Sequence, residues 1–167
     1  MKPIRIPATL FVLLCLGFLL YVNETSSLLP GRLATHFGGR GQPNGWMNRS
    51  GYTTFISLLG VGLPLFVIAL CFLCRFLPAW TVNIPNREYW ISPERRSRTY
   101  GYLLAHSLWL GCLLVGFVAA MHYLTIQANR SIPVHLAGGS MIMVLAVFLG
   151  CLAIWVVALM RHFQRPA

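Results

Sequence analysis

The side chains best suited to chemistry in this 167-residue chain are five histidines, three glutamates and five cysteines; there is no aspartate. By the topology argued below, His36, His122 and His135 fall on one side of a membrane, with Glu24 at the same level. Three imidazoles and a carboxylate are a zinc-type ligand set. No His-x-x-x-His spacing brings them together, so the fold would have to. His106 lies inside an apolar stretch, where an ionisable residue is a functional candidate. A neutral imidazole is cheaper to bury than an Asp or Lys, and a hydrogen bond to a neighbouring helix is expected for it. Glu88 and Glu94 share one side and Glu24 the other, which leaves no carboxylate pair for hydrolysis. A Ser or Cys nucleophile lacks an acidic orienter for its base. Gly38-Gly39-Arg40-Gly41 lacks the strand–helix setting of a phosphate-binding loop. The chain is therefore not expected to be an enzyme. Cys71-x-x-Cys74 has metal spacing without a second ligand pair, and every cysteine falls in an apolar stretch, where buried small hydrophobes are expected.

The elements that must position these residues follow from composition. Hydrophobic residues make up 57% of the chain and charged residues 10%, against about a quarter charged in soluble domains. Four stretches, Ile6–Val22, Thr53–Phe76, Tyr100–Gln127 and His135–Met160, are apolar enough to cross a bilayer. Hydrocarbon offers no backbone partners, so these are expected as helices. The expected fold is an all-α integral membrane protein: a four-transmembrane-helix bundle with an ordered extracytoplasmic loop between helices 1 and 2. Buried carboxylates at a transport site are missing from all four stretches.

The net charge of +10 reads as topology and not as nucleic-acid binding. Lys2, Arg5, Arg75, Arg87, Arg95, Arg96, Arg98, Arg161 and Arg165 fall on one side; Arg32, Arg40, Arg49 and Arg130 fall on the other. Basic residues favour the cytoplasm, which places both termini and the middle loop inside and the His36 loop outside. The basic start followed by an apolar run, without a small-x-small cleavage site, reads as a retained signal anchor. Gly60, Gly62 and Pro64 predict a kink in the second span. Gly101 with Ala105, Gly116 with Ala120, and Ala146 with Gly150 predict close helix approaches, either within the chain or with a partner's helices or a second copy. Ser92-Pro93-Glu94 is expected to open the third span. Trp80, Tyr89, Trp90 and the arginines from Arg87 to Arg98 are expected to meet membrane lipids.

Leu28–Tyr52 concentrates Gly, Pro, Asn and Arg around His36. Leu33 can anchor it to the helix ends, and Gln42-Pro43-Asn44-Gly45 reads as its tight turn. Leu29, Pro30, His36, Phe37, Gly41, Pro43 and Arg49, with the later Asn83–Trp90, resemble the domain of unknown function of SdpI-type bacterial membrane proteins. The resemblance runs over about Ile6 to Arg98, which divides the chain into 1–98 and a transmembrane hairpin, 99–167. Asn44 and Gly45 stand where that pattern has an acidic residue, and SdpI itself has additional helices. The resemblance implies a bacterial inner-membrane protein of sensing or immunity type, which in SdpI means protection against a secreted peptide toxin and sequestration of a repressor. The expected binding residues for an extracytoplasmic peptide or envelope protein are Pro30, His36, Phe37, Gly41, Pro43, Asn44 and Arg49. The alternatives are a zinc protein using His36, His122 and His135, or a non-catalytic structural subunit of a membrane complex.

Overall fold

The computed structural model describes residues 2–164, with side chains from residue 4 on. Arg165 and the side chain of Lys2, both counted toward orientation above, lie outside the described residues. Helix α1 (Lys2–Ser26) leads into two antiparallel strands, β1 (Arg32–Phe37) and β2 (Pro43–Asn48). The second span is one continuous run from Arg49 to Phe76. It comprises α2 (Arg49–Ser57), a π-helical turn (Leu58–Gly62), α3 (Leu63–Leu73) and a closing 3-10 turn (Cys74–Phe76). A short helix, α4 (Arg87–Trp90), interrupts the middle loop before α5 (Arg96–Arg130) and α6 (Gly138–Gln164). Among the described residues four helices are long and apolar enough to cross a membrane. Each helix runs past its apolar stretch at one end or both, because helices continue past the hydrocarbon, but the fourth starts at Gly138, three residues after the expected His135. At 35 residues α5 is about 50 Å long, some 20 Å more than the apolar layer needs. The excess is where both loops dock.

The core is a three-helix affair. Phe11, Cys15, Phe18 and Val22 recur on one face of α1, and Leu108, Cys112, Val115 and Val118 on one face of α5. These spacings of three and four residues bring the two stripes together, with Tyr52 and Ile56 of α2 against them. Among the long helices α6 packs mainly on α5, and Phe163 is its only buried residue among those described. His106 and Trp155 tie the two helices: His106 Nε2 donates to the Trp155 carbonyl at 3.1 Å, and Trp155 Nε1 donates to the His106 carbonyl at 2.9 Å.

Several sequence expectations are corrected. Close approach falls at Gly60, where a Cβ would collide with the Phe18 ring, and at Gly111, where it would meet Ile68 and Phe11. Gly101, Gly116 and Gly150 instead look onto open space. Spacing marks a small-residue face but not whether a neighbour lies on it. A π-helical turn, Leu58–Gly62, lies immediately before Pro64, where the kink is expected, and such turns are a recognised cause of helix bending. Ser92–Arg95 form a turn ahead of α5, with the Arg95 and Arg96 N–H groups both on the Ser92 carbonyl. Trp90, expected at lipid, stacks on His162 and donates from Nε1 to the Phe163 carbonyl. Asn86 adds bonds to the Phe163 and Gln164 carbonyls, so the middle loop caps the end of α6.

Candidate functional site

The loop between the first two spans is a β-hairpin. Gly38–Gly41 make its turn: the Gly41 N–H donates to the Gly38 carbonyl, and the Gly38 N–H to the Gln42 carbonyl, both at 2.8 Å. Gly41 has φ +79, a left-handed conformation that favours glycine. The turn expected at Gln42–Gly45 therefore lies four residues earlier, and Pro43, Asn44 and Gly45 belong to β2. Register shifts on both sides of His36 bulge the pair. A bulge re-aims side chains, and here His36 Nδ1 donates to Asn44 Oδ1.

Three attachments sew this hairpin to the bundle. Leu29, Leu33 and Ala34 are buried at its base. Asn129, on the last turn of α5, pins β1 by its free edge. Its Oδ1 accepts from the Ala34 N–H and its Nδ2 donates to the Ala34 carbonyl, both at 2.8 Å, so one side-chain amide replaces a neighbouring strand. At the turn, the Leu136 N–H donates to the Gly41 carbonyl at 2.9 Å, and His135 Nε2 donates to the Arg40 carbonyl at 2.9 Å. The connection between α5 and α6 thus sits on the tip of the hairpin. A Cβ at Gly41 would collide with the Leu136 carbonyl and the His135 ring.

Beneath the hairpin lies a buried polar junction of α1, α2 and α5. His122 has no exposed surface. Its Nε2 lies 2.8 Å from Thr25 Oγ1 and its Nδ1 lies 2.9 Å from the Tyr52 hydroxyl. Thr25 donates its proton to the Tyr21 carbonyl at 2.6 Å. Nε2 therefore carries the imidazole proton and Nδ1 accepts from Tyr52, a single neutral tautomer with both nitrogens satisfied. Tyr21 meets the ring edge-on and Tyr52 stacks on it.

The three histidines of the zinc expectation are not brought together. Among the described residues no group of three His, Cys, Asp or Glu side chains could hold a metal. The physical reason is that each imidazole has another partner: Asn44 for His36, Thr25 and Tyr52 for His122, and the Arg40 carbonyl for His135.

Of the expected binding residues, Pro30, His36, Asn44 and Arg49 are exposed, while Phe37 and Pro43 are half-buried as a cross-strand pair. Gly41 is buried under the α5–α6 connection. Its place is structural: it lets the hairpin dock. The exposed face also carries Arg32 and Trp46, which are not among the expected binding residues, with the guanidinium 5.9 Å from the indole centroid. The alternation of Asn44, Trp46 and Asn48, all exposed, was the available signal for them. Asn129, Thr25 and Tyr52 carried no signal, because their partners are remote in sequence. Strand β2 is the outer one, since β1 lies between it and Asn129.

A multi-pass membrane protein whose first connection is a β-hairpin clamped onto the ends of its helices is the class these features define. Residues 9–61 match a family model described as Domain of unknown function (DUF1648). That stretch takes in most of α1, the hairpin, α2 and nearly all of the π-helical turn, and leaves Asn129, His122 and His135 outside it. No curated protein and no solved structure matches the chain.

Proposed function

We propose that this protein is a bacterial inner-membrane binding module that presents the hairpin to an extracytoplasmic peptide or envelope protein. Arg32, His36, Asn44 and Trp46 form the contact face, and β2 offers the open edge. The observation that carries this reading is the docking of the hairpin at both ends, by Asn129 on β1 and by His135 and Leu136 on the turn. A preorganised surface loses little entropy on binding. An exposed Trp beside an Arg is the composition of interface hot spots, and a free strand edge can receive an extended peptide. The excess of Arg and Lys at the other end supports an outward-facing hairpin. The immunity or sensing role rests on the SdpI-like pattern of the sequence alone; the family matched over residues 9–61 has no assigned function.

The test is photocrosslinking in cells from a benzoylphenylalanine placed at Trp46. A discrete peptide or envelope-protein adduct, lost when His36 and Asn44 are replaced by alanine, is the expected result. Adducts confined to lipid would remove the basis for this reading. They would favour a structural subunit, for which the almost unburied α6 is the supporting feature; a second protein co-purifying through α6 would establish that alternative.

A further inference from the structure

At the end of the bundle away from the hairpin, a recess of about 350 Å³ is lined by Arg75, Phe76, Pro93, Arg96, Ser97 and Tyr100. Arg75 and Phe76 finish the second span, and Arg96 and Ser97 open α5. Arg96 donates from Nη2 to the Arg75 carbonyl at 2.9 Å, which holds the two arginine positions together, and its guanidinium lies 5.6 Å from the Tyr100 ring centroid. The first turn of a helix has N–H groups without intrahelical acceptors and carries partial positive charge. No side chain caps this turn of α5.

Tyr100 adds an independent sign. It is 5% exposed and packs with Val82 and Ile91, yet its hydroxyl is the one buried side-chain polar atom without a hydrogen-bond partner among the described residues. Buried hydroxyls nearly always have partners, so this orphan, on a residue that lines the recess, calls for one. The nearby carboxylate does not supply it. Glu94 is exposed and outside the lining, and hydrogen bonds from its own backbone N–H and from Ser92 hold its carboxyl below the ordinary range.

We propose that this recess binds a phosphate group, with Arg75, Arg96, the backbone N–H of Ser97 and the Tyr100 hydroxyl as its donors. Guanidinium groups match phosphate oxygens in geometry and charge. The recess stands where the apolar second span ends, flanked by Phe72, Leu73, Phe76 and Leu77, all exposed. A phospholipid headgroup entering it would leave its acyl chains along α3; a soluble phosphate has the same headgroup chemistry without the chains. The site is separate from the hairpin, and neither proposal depends on the other.

The test uses purified full-length protein in non-ionic detergent. One arm follows phosphatidylglycerol in mixed micelles by native mass spectrometry; the other follows inorganic phosphate by titration calorimetry. Saturable one-to-one binding is expected, lost in Arg75→Gln/Arg96→Gln. Tyr100→Phe, which keeps the ring packing, should weaken it about tenfold, as loss of a hydrogen bond to a charged group does. Arg98→Gln, a neighbouring exposed position outside the lining, should leave it unchanged. That pattern in the lipid arm assigns the site to a headgroup, and in the phosphate arm alone to a soluble ligand. Either result supports a phosphate site. Absence of binding in both arms, an equal loss in Arg98→Gln, or full affinity in a folded Tyr100→Phe overturns it.

Discussion

Replacing Asn129 with alanine removes the pin that holds β1 to the bundle. Two bonds of 2.8 Å to the Ala34 backbone are lost, along with one of 2.9 Å to the Thr125 carbonyl. Ala34 has no exposed surface, so its N–H and carbonyl are left without partners. Each buried orphan costs about 1–3 kcal/mol, and Asn129 is only half-buried, so water entering its place recovers part; the expected loss is about 2–4 kcal/mol. The loss is local, because Leu29 and Leu33 and the turn contacts still hold the hairpin. The assay is hydrogen–deuterium exchange of peptides covering β1 in detergent. At about 1.4 kcal/mol per decade, the Ala34 amide should exchange about 30 to 1,000 times faster. Amides in the middle of α5 should be unaffected. Asn129→Asp keeps an acceptor for the N–H but sets an oxygen against the Ala34 carbonyl, and is expected to be no better than alanine. Wild-type exchange at Ala34 in Asn129→Ala would refute the pinning argument.

Other consequences can be measured on the same preparation. Gly41→Ala combines a left-handed backbone with a collision against Leu136, and should release the hairpin tip at a cost of about 2 kcal/mol or more; trypsin should then cut after Arg40 faster than in the wild type. Gly60→Ala pushes α1 away through the Phe18 ring and is expected to cost about 1–3 kcal/mol, whereas Gly150→Ala, facing open space, should stay within about 0.5 kcal/mol; equal midpoints in chemical unfolding would contradict the packing described. His122→Phe preserves the ring but strands the Tyr52 hydroxyl and the bond to Thr25, lowering stability by about 1–3 kcal/mol in the same unfolding assay. Elemental analysis of purified protein should find no stoichiometric zinc, and His36→Ala and His135→Ala should leave the metal content unchanged; zinc lost on either substitution would overturn the hydrogen-bonding roles assigned to them.

The number and type of spanning elements were legible without any structure. An apolar run of about 20 residues has one stable form in hydrocarbon, because every backbone group must find its partner within the same segment. Leu33 as the anchor of the first loop was legible as well, since it stands apolar among polar neighbours, and it is fully buried. The hairpin was harder to read. Its alternation covers only a few residues in each strand, is broken by a bulge at His36, and lies in a stretch rich in turn residues that suits several turn positions equally. Gly38, Gly39 and Gly41 could each take a positive φ; among these Gly41 takes it, where the α5–α6 connection packs against the turn from 95 positions away in the chain.

By itself, then, the amino-acid order determined that this is a four-span membrane protein with a structured first loop and an uneven distribution of basic residues. Those properties depend on composition and on neighbours a few residues apart. Tertiary structure decided what the polar side chains do. His122 is enclosed by Thr25 and Tyr52 across three helices, Asn129 serves as a strand for Ala34, and His135 closes on Arg40. A hydrogen bond acts over about 3 Å, and the folded chain alone brings donors and acceptors some 70 to 97 positions apart within that distance.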